Sequence, residues 1–334
     1  MIGRNEGERL AVCLDSVLRQ NSNVVYVDSG STDDSVALAR AKGVMVLELD
    51  PCLPFTAARG RNAGARYLAQ TVPGIEFVQF IDGDCELIPG WLEGGTARLR
   101  ERLDIAVVCG RVRERRPERS IYNRLCDIEW NTPVGAALAC GGNVMMRVSV
   151  LEQVGGFNPD VIAGEEPELC LRVRRAGYRI ERVGVDMVLH DAAMTRFAQW
   201  WRRVVRSGHA YTEGASMHGG AAERHYVHEM RRIWFWAVLL PAFIILGAPF
   251  TGGATALLLC AYPMSVLSIY TQMRRRSLSR YDAIVYAAFI TLAKFGELQG
   301  VVKYYVRRMR GGPPKVIEYK GPALRRQPST EPHA

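Results

Sequence analysis

The chain has 334 residues, 48% of them hydrophobic and 23% charged, which excludes a disordered polymer and allows a large core or more than one domain. Its formal net charge of +9 calls for an anionic partner: nucleic acid, anionic lipid or a phosphate-rich ligand. The eight cysteines form no C-x-x-C pair and no zinc spacing, so they read as small buried residues in a reducing compartment.

In chain order, the first residues lack an apolar signal segment, and residues 1–230 are expected to stay in the cytosol. Leu10, Cys13, Leu14, Val17 and Leu18 recur at helical spacing. Asn23–Val27 is a short β-rich run ending at Asp28. Thr32 or Asp33 in the turn that follows is placed to cap the next helix, which stops at Gly43. Val44–Leu49 reads as a strand, Thr56–Gln70 as a helix, Phe77–Ile81 as a strand, Pro89–Arg102 as a helix and Ile105–Cys109 as a strand. This alternation implies an α/β domain with a largely parallel sheet. Ligands of such sheets bind beyond the carboxyl ends of the strands, where Asp28 and Asp82-Gly83-Asp84 both fall.

Residues 111–135 are polar and carry no clear period. Ala139–Met146 reads as a glycine-containing strand. Gly164-Glu165-Glu166-Pro167-Glu168 opens a short helix that closes at Gly177, and Arg179–Val183 alternates as an exposed strand would.

After residue 230 the composition changes. Trp234–Phe250 and Ala254–Tyr270 are uncharged runs of 17 residues each, at the lower limit for crossing a bilayer. Thr251-Gly252-Gly253 joins them as a hairpin. Arginines at 231–232 and 274–276 flank its outer ends, which places both ends in the cytoplasm. Tyr281–Val302 contains Lys294 and Glu297 and is expected to lie in the interface as an amphipathic helix. The domains are therefore 1–230, a membrane segment 231–310 and a disordered tail 311–334. Arginine clusters flanking apolar runs favour a membrane surface over nucleic acid, for which no motif is present.

Asp82-Gly83-Asp84 follows an apolar strand. Two carboxylates separated by glycine can hold Mg²⁺ or Mn²⁺ and leave room for diphosphate oxygens. Alone, the pattern is weak and is more often a polar turn after a strand.

Its context is an ordered set: Arg4-Asn5-Glu6-Gly7-Glu8-Arg9-Leu10, Val27-Asp28-Ser29-Gly30-Ser31-Thr32-Asp33, Arg61-Asn62-Ala63-Gly64, Asp82-Gly83-Asp84 and Gly164-Glu165-Glu166-Pro167-Glu168-Leu169. Over roughly residues 2–215 the chain resembles the family 2 glycosyltransferases of the GT-A fold, as a bacterial-type membrane-associated member. The resemblance implies a nucleotide-sugar donor, a divalent metal and inversion at the anomeric carbon. It places Asn5 and Glu6 at the nucleoside pocket and Asp28 on the base or ribose. Arg61 would approach the base or diphosphate, with Asn62 supporting the loop. Asp82 and Asp84 would meet ribose and metal, Asp84 being the firmer ligand. Gly141, Gly142 and Asn143 resemble the strand beside the donor sugar. His190 falls where many relatives place a further metal or diphosphate contact; an ordinary hydrogen-bonded histidine is the alternative.

Relatives usually carry Glu-Asp where this chain has Glu165-Glu166. Glu166 aligns with the catalytic base, one methylene longer than usual, and the choice between Glu165 and Glu166 stays open. Gln199-Trp200-Trp201-Arg202-Arg203 resembles the Q-x-x-R-W element of processive polysaccharide synthases except that Arg203 replaces the last Trp. Arg202 is then expected at the diphosphate, and Trp200 and Trp201 suit sugar stacking or the lipid interface. In the family a first strand precedes the Arg-Asn-Glu element, where this sequence has only Met1-Ile2-Gly3: either that edge is shortened or the true start lies upstream.

The expectation is a glycosyltransferase of the inner (cytoplasmic) membrane, with its catalytic domain on the cytoplasmic side. The acceptor would be a lipid-linked sugar or a surface polysaccharide. The alternatives are a processive synthase or an inactive sugar-binding membrane scaffold.

Overall fold

A computed structural model describes residues 1–311. The tail expected over 311–334 lies, beyond Gly311, outside the described residues.

Helix α1 (Glu8–Leu18) buries Leu10, Cys13, Leu14 and Val17, the stripe its spacing predicts. Three strands follow one pattern: β1 (Ile2–Gly3), β2 (Val25–Asp28) and β3 (Met45–Glu48) pair in parallel in the order β1-β2-β3. The fully buried Val-Tyr-Val-Asp of β2 is what a central parallel strand requires. Between them runs α2 (Ser35–Ala41). Its N-cap is Asp34, one residue past the expected caps, and Asp33 Oδ1 instead accepts the Ser35 N–H at 3.0 Å. Helix α3 (Ala57–Thr71) begins at Thr56, whose hydroxyl oxygen accepts the Arg59 N–H at 3.2 Å.

The remaining strands build a mixed sheet in the order β4-β8-β6-β9-β5, from β4 (Phe77–Phe80), β5 (Cys85–Leu87), β6 (Ile105–Glu114), β7 (Gly135–Ala136), β8 (Val144–Arg147) and β9 (Arg179–His190), with β7 paired to β9. Only β6 and β9 run parallel in it; β8 and β5 pair antiparallel. The parallel character expected for the whole sheet is thus concentrated in the first three strands. The short β1 is no loose edge. Ile2 pairs with Val27 of β2 on one side and bridges Asp82 on the other, and its carbonyl accepts the Gly83 N–H at 2.8 Å. Two residues thereby join the two sheets at the point where the β2 and β4 ends converge.

Helices α4 (Trp91–Glu101), α5 (Ile121–Trp130), α6 (Val148–Gln153), α7 (Glu165–Arg175) and α8 (Phe197–His218) complete the domain. Four elements differ from the sequence expectation. Pro89 lies outside α4, which starts after a left-handed Gly90. β6 runs on to Glu114, and α5 occupies part of the patternless segment 111–135. Gly141-Gly142-Asn143 forms the loop before β8 rather than the strand itself.

The C-terminal segment holds three helices long and apolar enough to cross a membrane, over Val227–Gly247, Ala254–Arg275 and Arg280–Arg310. The first is α9 (Val227–Trp234), a π-helical turn and α10 (Leu240–Gly247). The second is a 3₁₀ stretch and α11 (Ala261–Arg275), and the third is α12 (Arg280–Arg310). The boundary expected at residue 230 falls inside α9. The turn between the first two sits at Gly252 and Gly253, both with positive φ. Tyr262 donates its hydroxyl to the Trp236 carbonyl at 2.7 Å, tying the two helices into a hairpin. Phe243, Ile245, Leu246, Phe250, Leu257 and Leu267 are exposed on it, far more apolar surface than a water-facing helix pair carries.

α12 is one continuous helix laid along α8. Its start is tied to α5 by Arg124–Asp282 at 2.9 Å, and its end to α8 by Arg307–Glu213 at 3.1 Å. The two helices touch backbone to backbone: a Cβ at Gly208 would sit 2.0 Å from the Glu297 carbonyl oxygen, and one at Gly300 2.2 Å from that of Val205. Lys294 and Glu297 pair with each other at 2.6 Å.

Candidate active site

A cavity of about 630 Å³ opens where β1, β2 and β4 end. Its first wall is the Arg4–Glu6 loop, fixed to the turn after β2. Asn5, itself at φ +54°, accepts the Thr32 N–H at 2.7 Å and donates its own N–H to Ser31 Oγ at 2.9 Å. Ser35 Oγ accepts the Glu6 and Gly7 N–H groups, each at 3.2 Å. Asn5 and Glu6 therefore line the cavity as expected of nucleoside contacts.

Asp28 does not line it. One carboxylate oxygen accepts the Ser31 N–H at 2.7 Å and the other accepts the Ser31 and Tyr26 hydroxyls at 2.5 and 3.0 Å. The side chain is spent on holding the turn. Asn62 plays a similar part at a distance, exchanging two hydrogen bonds with the Phe157 backbone at 2.7 and 2.8 Å.

Arg61 is the central cation of the site. It is 3% exposed, with one amino group 2.8 Å from Asp82 Oδ1 and the other 2.5 Å from Glu165 Oε1. The paired carboxylates raise its pKa against the opposing effect of burial. Gly142 packs onto this pair: a Cβ there would lie 2.4 Å from the Arg61 guanidinium and 3.0 Å from Asp82 Oδ2. Asn143 stands behind the wall, accepting the Asp82 N–H at 3.0 Å.

Asp84 and His190 meet at the floor, carboxylate to imidazole Nε2 at 3.5 Å, with the Cys85 thiol 3.7 Å from the same carboxylate oxygen. Ligand atoms of the three lie within 4.8 Å of one another. Burial pushes the His190 pKa down, so the ring is neutral near pH 7, and its Nδ1 is buried with no hydrogen-bond partner. The Asp84 carboxylate and the His190 imidazole are an O/N pair that suits Mg²⁺ or Mn²⁺, with the Cys85 thiol beside them and Asp82 lining the same cavity.

Glu114 supports this floor. It closes β6, is buried, and accepts N–H groups from Arg116, Ala192 and the Asn123 side chain at 2.9–3.1 Å, locking the chain just after His190. Sequence reasoning missed it, because Arg111, Val112 and Arg113 separate it from the apolar run that ends at Cys109.

The two adjacent glutamates diverge. α7 starts at Glu165 behind a left-handed Gly164, so Glu165 lines the cavity. Glu166 does not. Its oxygens accept the Cys140 and Gly141 N–H groups at 2.7 and 2.8 Å and the Cys170 thiol at 2.8 Å. Burial pushes its pKa up, against the pull of those donors. Glu166 ties the 140–142 loop to α7, and it is that loop which lays Gly142 on Arg61.

The far wall is α8, through Arg203, Arg206, Ser207, Ala210 and Tyr211, with Tyr226 beside it. Arg202 is exposed and points away, one position off the cavity face. Arg203 sits 2.6 Å from Glu129. Gln199 accepts the Thr195 and Arg196 N–H groups at 2.9 and 3.0 Å, capping α8 instead of touching ligand. Trp200 is buried against Leu125 and Ala293, and Trp201 donates to Gln299 of α12 at 2.8 Å, so neither is a sugar platform.

Residues 1–155 match glycosyl transferase family 2. They form a family 2 glycosyltransferase domain. Residues 127–196 also match the N-terminal domain of galactosyltransferase. The chain is similar to glycosyltransferase AglE of Haloferax volcanii, 25% identical over 189 residues that make up 53% of this chain and 60% of AglE. A TPR repeat-containing protein of Synechococcus elongatus is 35% identical over 105 residues, 31% of this chain and 23% of that protein. The chain thus spans less than two thirds of either curated relative. Among solved structures, the mannosyltransferase PcManGT from Pyrobaculum calidifontis, in complex with GDP-Man and Mn²⁺, is 18% identical with a TM-score of 0.59. The match covers 91% of this chain and 85% of that one, and it shows that the two share the GT-A fold.

Proposed function

We propose that the chain is an inverting, metal-dependent glycosyltransferase that moves a sugar from a nucleotide-sugar to an acceptor hydroxyl at a membrane. The observation that carries this reading is one cavity holding Asp82, Asp84 and His190 with Glu165 facing them and Arg61 between. Asn5 and Glu6 receive the nucleoside. Asp84, His190 and Asp82 hold Mg²⁺ or Mn²⁺, which when bound neutralises the diphosphate. Arg61 adds a fixed positive charge where negative charge develops on the leaving group.

Glu165 is the base of this reading, in place of the Glu166 that alignment favours, because Glu166 already accepts three hydrogen bonds outside the cavity. Glu165 takes the acceptor proton, the acceptor oxygen bonds to the anomeric carbon from the face opposite the nucleotide, and the bond to the diphosphate oxygen breaks with inversion.

The acceptor enters along α8, past Arg203, Arg206, Tyr211 and Tyr226. Cations and aromatic rings there suit a lipid-linked sugar or a growing surface polysaccharide. The hairpin crosses the inner membrane, and α12, bound to the domain at both ends, lies in its interface. Nucleotide-sugars are cytosolic, so the domain faces the cytoplasm. The capping role of Gln199 weighs against a processive synthase.

The test is a panel of nucleotide-sugars with Mn²⁺, Mg²⁺ or chelator, read by binding and slow hydrolysis of the donor. Metal-dependent hydrolysis of one donor supports the enzyme. Donor binding with no hydrolysis or transfer under any metal favours the sugar-binding scaffold.

A further inference from the structure

The chain that delivers Glu165 to the cavity is the segment 161–164, and it hangs from α8. Val161, Ile162 and Ala163 are buried, at 2%, 2% and 4% exposure. Gly164, at φ +83°, rests against Ala210: a Cβ on it would come within 3.3 Å of that methyl group. Beside this contact, Glu213 accepts the Ile162 N–H at 3.1 Å. Its other carboxylate oxygen is 3.1 Å from the Arg307 guanidinium of α12.

Glu213 does not itself line the cavity, and the sequence motifs do not reach it. Yet it is 7% exposed, and it is held by Arg307 of the apolar C-terminal segment and by the Ile162 amide of the base-bearing loop. Such a carboxylate is costly to bury unless each partner is in place. The bond to Ile162 therefore depends on Arg307, and Arg307 stands there because α12 is pressed onto α8 at Gly208 and Gly300.

We propose that Glu213 is a positioning residue that couples the docking of α12 to the placement of Glu165, through Arg307 on one side and the Ile162 amide on the other. The domain then holds its base in register only when its C-terminal helix is seated. The catalytic part of this inference rests on Glu165 being the base; the coupling of α12 to the loop does not.

The test uses the full chain in detergent, with amide hydrogen exchange resolved over residues 155–170. Glu213→Ala should speed exchange at residues 162–165 by about tenfold or more, the loss of one buried, charge-assisted hydrogen bond, with α1 and the β-sheet unchanged. Glu213→Gln, which keeps an acceptor for Ile162, should recover much of the protection. Arg307→Gln should speed exchange at the same amides although it touches none of them. With a hydrolysed donor in hand, Glu213→Ala should lower kcat about tenfold or more while the donor KM moves less than about twofold. Wild-type exchange at 162–165 in Arg307→Gln would overturn the coupling. A rise in exchange spread evenly over α8 and α12 would overturn it too, leaving Glu213 a general stabiliser. Changed exchange with unchanged kcat would instead count against Glu165 as base and leave the coupling standing.

Discussion

Arg61 spans two carboxylates from different elements of the cavity wall, Asp82 Oδ1 at 2.8 Å and Glu165 Oε1 at 2.5 Å. Its neighbour Glu166 has no such reach, being tied to the Cys140 and Gly141 amides. The two glutamates should therefore separate cleanly in mutants. Glu165→Gln should cost about 10²-fold or more in turnover with donor affinity nearly intact, since an amide cannot take the acceptor proton. Glu166→Gln should lower the melting temperature, because one of the two amides it serves loses its acceptor, about 1–3 kcal/mol. Steady-state kinetics beside a thermal melt decides it. A dead but fully stable Glu166→Gln, with Glu165→Gln active, would reverse the assignment.

The metal assignment makes a second prediction. Asp84→Ala should abolish transfer and remove the Mn²⁺ dependence of nucleotide binding measured by calorimetry. His190→Ala should weaken the metal response without removing it, as one ligand of several. Full activity of Asp84→Ala in chelated buffer would sink the metal site.

Gly142→Ala isolates geometry from chemistry. The added methyl would sit 2.4 Å from the Arg61 guanidinium, so Arg61 must move off Asp82 or Glu165. The variant should fold normally and lose about tenfold or more in kcat, the scale of a small misplacement of a reacting group. Unchanged kcat would show that Arg61 has slack that its 3% exposure does not suggest.

The local periods placed α1, β2, β3 and α3 within a few residues, because each is an amphipathic or fully buried run with its own stop signals. The second sheet was not legible in the same way. β5 is three residues long, and the second half of β6, past the Ile105–Cys109 run, and α5 lie in an arginine-rich stretch whose polar faces pair across the fold, as Arg111 does with Asp127 at 3.0 Å. Within the site, motif order singled out Asp82, Asp84, Arg61 and His190, which the fold brings together. It did not tell Glu165 from Glu166, since which one faces the cavity depends on the left-handed turn at Gly164. Nor did it tell Arg202 from Arg203, because one step along a helix turns a side chain by 100° and only packing on α12 fixes the phase. Asp28 and Asn143 stand at motif positions yet serve the backbone around the site.

His209 provides a pH test. It is 3% exposed in α8, and burial, with Arg307 of α12 and Arg206 of α8 nearby, pushes its pKa down to about 4. Tyr304 packs on its ring, and Glu213, 3.8 Å away, is committed to Ile162 and Arg307. The folded pKa lies below the unfolded 6.5, so the unfolded chain binds the extra proton. This group's share of stability is present above pH 6.5 and is lost as pH falls from 6.5 toward 4, by up to about 1.4 kcal/mol per pH unit. Melts of wild type and His209→Phe between pH 4.5 and 7.5 should diverge, the variant losing part of the acid slope. Parallel slopes would remove His209 as a cause.

The last prediction concerns the membrane. Val227–Gly247 and Ala254–Arg275 should form a spanning hairpin with Gly252 outside and Arg276 in the cytoplasm. The two helices turn at Gly252-Gly253 and expose Phe243, Leu246 and Phe250. Arg276 donates to the Asn131 carbonyl at 2.8 Å, so the base of the hairpin rests against the domain. A buried pair within a water-soluble fold would cover those side chains, whereas they face outward. Pro241 and Pro263 lie inside the two spans, where a π-helical turn gives way to α10 and a 3₁₀ stretch to α11, and each span continues past its proline. Labelling should begin from a chain with the exposed Cys52 and Cys260 changed to Ser. A Cys at position 252 should then react with an impermeant maleimide in intact cells, and one at 276 only after lysis. α12 should behave differently from both. A Cys at Tyr281 and one at Met309 should both be shielded in intact cells, since the two ends of α12 are tied to the domain by Asp282 and Arg307. Labelling of position 309 from outside would mean that α12 crosses the bilayer, and release of the chain by carbonate without detergent would remove the hairpin from the membrane altogether.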